Sequence, residues 1–129
     1  MAIVVLDASV VIALLDAGDA HHAAAVSAVG QAQRDVLVLP VSAYGEILVD
    51  PWRRGLDAVA IVRGFVKDLG IRIEPLTQDI AERAARLRAR HESLRLPDAL
   101  VLATADALDA AALTCDRAWR HVSRRVRVL

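Results

Sequence analysis

Residues 3–15 read IVVLDASVVIALL, and the fold follows from how that stretch divides. Ile3 to Leu6 is a continuous apolar run rich in β-branched side chains. Without an alternating polar face, it reads as a strand buried on both sides, the habit of a parallel sheet. Ser9 to Leu15 reads as a short helix, and Asp7 stands at the join. The stretch lacks a basic start, is interrupted by Asp7, and has apolar runs too short to span a bilayer. A soluble, cytoplasmic protein with no membrane segment is therefore expected.

Beyond Leu15 the same alternation repeats. Ala20 to Arg34 is alanine-rich and helical, and Val36 to Leu39 is a second buried strand. Pro40 punctuates it, Ser42 to Val49 reads as a helix, and Pro51 to Gly55 reads as a break. Leu56, Val59, Val62, Val66 and Leu69 recur at helical spacing up to Gly70, a natural C-cap. Ile71 to Ile73 makes a third strand. Thr77 caps a helix running to about Arg90, with Asp79–Arg83 and Glu82–Arg86 pairs on its wet face. Asp98 to about Asp109 is helical, Ala111 to Cys115 is a fourth strand, and Val126 to Leu129 supplies a fifth after a helical turn at Arg117. Strands alternating with helices predict a parallel sheet covered on both faces with right-handed crossovers. Residues 1–129 show no repeat or linker and are expected to form a single domain.

Composition narrows the function. At 129 residues the chain buries enough surface to need no disulfide or structural zinc, and its lone Cys115 has no partner in the chain. A hydrophobic share of 56% with 25% charged residues excludes disorder, and a net charge of zero excludes a generally basic nucleic-acid binder. Lys67 is the only lysine, so the basic side is nearly all arginine, whose flat donor fork suits phosphate.

Ligands of parallel α/β sheets bind beyond the carboxyl ends of the strands. Asp7 follows the first strand, Asp116 follows the fourth, Asp98 opens the helix before the fourth, and Glu46 lies one turn into the helix after the second. Asp7, Asp98 and Asp116 also suit helix N-caps. Glu46 does not, and a capping box headed by Ser42 would need its acid at position 45, which is Gly45. Among apolar neighbours, Glu46 is expected to be buried and in need of a partner. Two carboxylates about 4 Å apart repel by roughly 4 kcal/mol at an effective dielectric of about 20. Several such pairs rival the net stability of a domain, about 5–15 kcal/mol, so a cluster of four demands protons or a cation. An all-oxygen set selects Mg²⁺ or Mn²⁺ over zinc. The adjacent His21 and His22 cannot easily face one site and are read as exposed helix residues.

Ser9 and Thr114 flank Asp7 and Asp116 at two residues and are candidates to orient a carboxylate or a water. Arg83, Arg86 and Arg90 line one helix face and are read mainly as a solvated, acid-paired face. Arg117, Arg120 and Arg124, with Arg125 and Arg127, follow Asp116 with few acids nearby and are the better candidates for an RNA backbone. Trp52 and Tyr44 are read as core side chains rather than base-stacking platforms.

In IVVLDASVVIALL, LPVSAYGEIL, LPDALVLATA and LTCDRAW, taken in that order, the chain resembles the PIN-domain ribonucleases. In size and layout it is similar to the VapC-type toxins of prokaryotic toxin–antitoxin pairs. The family's acids carry over onto Asp7, Glu46, Asp98 and Asp116, and its hydroxyls onto Ser9 and Thr114. The resemblance implies a three-layer α/β/α PIN-like domain with a mostly parallel sheet of four to five strands. It also implies Mg²⁺- or Mn²⁺-dependent endonucleolytic hydrolysis of RNA and a homodimer. A small antitoxin is implied as well, joining the toxin in a heterotetramer or larger assembly. Nothing from Asp50 to Glu74 matches a motif of the family. Two alternatives stand beside this reading. A haloacid-dehalogenase-type phosphatase needs a second aspartate where Ser9 stands, and a catalytically silent interaction module has no need of four acids.

Overall fold

Among the described residues, 2–129 of the computed structural model, five strands and six α-helices alternate. β1 (Ile3–Leu6) leads to α1 (Ala8–Leu15) and α2 (His22–Gln31), and β2 (Val36–Pro40) to α3 (Val41–Arg54) and α4 (Leu56–Asp68). β3 (Arg72–Glu74) leads to α5 (Gln78–Arg90) and α6 (Leu96–Ala107). β4 (Ala111–Thr114) is joined to β5 (Val126–Val128) by a 3₁₀ turn at Arg117–His121.

The sheet runs β3-β2-β1-β4-β5 and every pairing is parallel. Successive crossovers travel outward from β1 to β3, then jump back over β1 to β4. Right-handed crossovers place α1 to α4 on one face and α5 and α6 on the other. β1 is therefore the central strand and the point at which the strand order reverses. The register pairs Val5 with Val38 on one side and with Ala112 on the other. Val5, Leu6, Val38, Leu39 and Ala112 are all fully buried, as the unbroken apolar runs require.

The largest departure from the expected layout lies at Pro51. In place of a break over 51–55, α3 continues through Pro51 to Arg54 and stops at Gly55, whose φ of 125° no side-chain-bearing residue adopts easily. Proline withdraws one amide hydrogen bond, but its ring is buried on the core side of the helix, and that packing offsets the loss. Smaller shifts follow the same logic. The third strand falls at Arg72–Glu74, because Ile71 is used to close α4 through its amide to the Val66 carbonyl at 3.1 Å. Gly70 takes the left-handed φ of 66° expected of a C-cap. Thr77 Oγ1 accepts the Ile80 amide at 3.2 Å as a helix cap, and Arg83 meets Asp79 at 2.9 Å. The Glu82–Arg86 pair does not form. Trp52 is exposed rather than in the core, and its ring lies under the Arg63 guanidinium at 5.7 Å. Tyr44 does pack against the core. His21 and His22 are half-buried rather than exposed, with His22 Nδ1 2.7 Å from the Ala13 carbonyl.

Candidate metal centre at the carboxyl ends of the strands

β1 ends in a hydrogen-bonded junction with β4. The Asp7 amide donates to the Leu113 carbonyl at 3.0 Å, so the ladder runs one residue beyond the strand and delivers Asp7 beside Thr114. Asp7 Oδ2 accepts from Ser9 Oγ at 2.7 Å and from Thr114 Oγ1 at 3.0 Å. The same hydroxyls are in turn anchored. Ser9 Oγ accepts the Cys115 amide and Thr114 Oγ1 accepts the Asp116 amide, each at 3.1 Å. Two side-chain hydroxyls thus tie the start of α1 to the turn after β4 and fix one carboxylate between them. Asp7 is only 8% exposed, and Thr114 is fully buried.

The helix-cap readings separate here. Asp7 occupies the N-cap position of α1 but makes no capping hydrogen bond with its side chain. Asp98 is the third residue of α6, whose cap position is Arg95, so it is no cap either. Asp116 does cap, accepting the Ala118 amide at 2.9 Å. Glu46, expected to be buried, is exposed on α3. Its helix carries it to the edge of the sheet, where α3 and α6 touch across the carboxyl ends of the strands.

Electrostatics show that the acids share one field. Burial pushes the Asp7 carboxyl up, with the Ser9 and Thr114 hydroxyls pulling partly back. Glu46 is pushed up by partial desolvation, then by the charges of Asp7 and Asp98, with Arg95 opposing. Asp98 is pushed up by burial, held back by Arg95, and raised further by Asp7 and Asp116. Arg95 is the cation within reach: its Nε lies 3.5 Å from Asp98 Oδ2. Sequence reasoning passed over Arg95, although a basic residue three positions before Asp98 at a helix start is a legible signal.

Among the described residues no three acidic, histidine or cysteine side chains stand close enough to form a ready-made cage. The donor set nevertheless suits a hard divalent cation. It is all oxygen, it carries more negative charge than Arg95 neutralises, and three of its carboxyls are raised by burial, two of them also by neighbouring acids. Arg117, Arg120 and Arg124, predicted to meet RNA, lie on or just after the 3₁₀ turn that Asp116 caps. All three are exposed, and they form no ion pair among the described residues.

The sequence profile of the PIN domain matches residues 4–125. No curated protein matches the chain significantly. Among solved structures, a toxin–antitoxin complex from Klebsiella pneumoniae is similar over 97% of this chain and 96% of that one, at 24% identity and a TM-score of 0.80. The sarcin–ricin-loop-cleaving toxin VapC20 of Mycobacterium tuberculosis is similar over 84% of this chain and 86% of its own, at 26% identity and a TM-score of 0.69. DNA-bound VapBC from Salmonella typhimurium is similar over 100% of this chain and 98% of that one, at 14% identity and a TM-score of 0.77. With a match that runs from β1 through β4 and takes in each of the four acids, the chain belongs to the PIN domain family.

Proposed function

We propose that this protein is a divalent-metal-dependent endoribonuclease acting as the toxin of a toxin–antitoxin pair. One observation carries the reading: in a PIN-family chain, Asp7, Glu46, Asp98 and Asp116 reach a single edge of the sheet from four different elements. The likeness to VapC20, which cleaves the sarcin–ricin loop, supports RNA as the substrate class.

Asp7, Asp98, Glu46 and Asp116 hold Mg²⁺ or Mn²⁺. When bound, the ion supplies Lewis acidity, acidifying a water and offsetting charge on the phosphate and leaving oxygen. The chain's own residues supply the geometry. Ser9 and Thr114 occupy one oxygen of Asp7 and so fix the direction of the other. Asp98 and Glu46 converge from α6 and α3, and Arg95 at the rim is placed to meet a non-bridging phosphate oxygen. Arg117, Arg120 and Arg124 hold the RNA backbone.

The antitoxin partner is supported by the toxin–antitoxin complexes among the similar structures. It is also supported by apolar side chains left exposed on α1, α3 and α4, among them Ile12, Val49, Trp52, Leu56 and Ile61. Homodimerisation and action in the cytoplasm belong to the same reading. The test is sequencing of RNA ends after brief induction, comparing wild type with Asp7→Asn and Asp98→Asn. New ends and growth arrest are expected with the wild type alone. Cleavage that survives both substitutions, or persists in excess chelator, overturns the assignment.

A further inference from the structure

Arg83, Arg86 and Arg90, which share one face of α5, form one wall of a cavity. A space of about 420 Å³ is lined by Arg83, Arg86 and Arg90 of α5, by Leu102 and Asp106 of α6, and by Ser123 just after the 3₁₀ turn. α5 and α6 are joined by residues 91–95 and pack closely as an antiparallel hairpin. Arg83 Nη1 donates to Asp106 Oδ2 at 2.6 Å, which sets the register of that hairpin. One turn on, Leu87 falls beside Leu102, and both line the cavity. A further turn brings Arg90 to the level of Asp98. The arginine row therefore climbs α5 toward the carboxylate edge, covering about 12 Å along α6 between Asp106 and Asp98.

The three arginines are not equivalent. Arg83 is saturated: it binds Asp79 at 2.9 Å and Asp106 at 2.6 Å. Asp106 is further engaged by Arg125 at 3.5 Å, so the one acid in the cavity wall is already neutralised. Arg86 and Arg90 have no ion-pair or hydrogen-bond partner among the described residues and are exposed. A cavity with two unpaired guanidinium groups, a serine hydroxyl and a neutralised acid is a receptor for phosphate oxygens.

We propose that this α5–α6 cavity is a tracking subsite for the sugar–phosphate backbone of single-stranded RNA, with Arg86 and Arg90 contacting successive phosphates as the strand leaves the carboxylate site. The inference rests on the ribonuclease reading and extends it with two residues that the sequence assigned to a solvated face. The alternative, a polar pocket that only solvates the arginines, differs in salt dependence, because each phosphate contact releases counterions.

The test measures binding of a mixed-sequence 20-nucleotide RNA across a salt series, in an Asp7→Asn background to prevent cleavage. Arg86→Gln with Arg90→Gln is compared with Arg34→Gln, which alters an exposed arginine before β2, at the opposite edge of the sheet. Two lost contacts flatten the slope of log affinity against log salt by about 1.4 and weaken binding by about tenfold. Arg34→Gln leaves the slope unchanged. Arg86→Lys with Arg90→Lys restores most of it, which separates lost charge from lost structure. An unaltered slope in the double glutamine variant overturns the subsite. Absence of RNA binding in every variant, with no cleavage by the wild type, overturns the ribonuclease reading and the subsite with it.

Discussion

Asp7 and Glu46 belong to one cluster but to two unlike regions. The β1–β4 junction holds Asp7 buried, with two hydroxyls on one oxygen and each hydroxyl anchored to a backbone amide. The α3–α4 side presents Glu46 exposed, on a helix that also leaves Trp52 and Val49 in solvent. The junction is a closed hydrogen-bonded network within the chain; the helix side is open to solvent. Rigid strand ends aim a donor, and a helix surface lets it adjust.

The contrast is open to direct attack, and the largest effect is expected at the junction. Asp7→Asn keeps the shape but removes the charge, and RNA cleavage should fall by more than about a hundredfold, beyond the cost of losing an outer partner of a metal ligand. A gel assay on a defined RNA reads it. Thr114→Val comes next. It strips a hydrogen bond from a buried carboxylate and leaves the Asp116 amide without its acceptor. We expect about 1–3 kcal/mol of stability lost in denaturant unfolding and about 10–100-fold in activity. Equal stability of Thr114→Val and wild type would show that the junction is not preformed.

Glu46→Gln should behave in the opposite way. An exposed residue is expected to change stability by less than about 0.5 kcal/mol, while the Mn²⁺ affinity read by calorimetry falls. A large loss of stability would place Glu46 with Asp7 rather than against it.

The pH dependence of the metal-free protein sharpens the difference. The Asp7 carboxyl is raised above its unfolded value, so the folded state favours its proton. Its contribution to stability is fully present below the ordinary aspartate range and is lost as pH rises through the elevated value. Metal-free wild type should thus lose stability relative to Asp7→Asn across that window, and saturating Mg²⁺ should reverse the trend. Denaturant midpoints between about pH 4 and pH 8 check it. The smallest effect is expected at Ile61, which is 69% exposed on α4. Ile61→Ser should leave folding within about 0.5 kcal/mol while weakening any partner that covers this face.

Much of this contrast is legible in the sequence for one region and not for the other. An apolar run of four residues buried on both faces leaves a strand no other place than the sheet interior. Asp7 then emerges at its carboxyl end by chain geometry alone. The helix with Thr77 as cap and the Gly70 terminus are equally local, because each is a backbone hydrogen-bond requirement met by one residue. Pro51 misleads because its cost to the helix is local, whereas the burial that offsets it is not.

The sequence by itself determined the alternation of strands and helices and the parallel sheet, and it singled out four candidate acids with the hydroxyls beside Asp7 and Asp116. These depend on periodicity and on residues adjacent in the chain. Only the tertiary structure decided that Asp7 and Asp98 are not caps while Asp116 is, that Glu46 is exposed, and that Arg95 faces the acids. It also decided that Arg86 and Arg90 of α5 face a cavity shared with α6 and Ser123. Those properties depend on which elements meet. Long-range packing sets burial and field, and no local pattern encodes either.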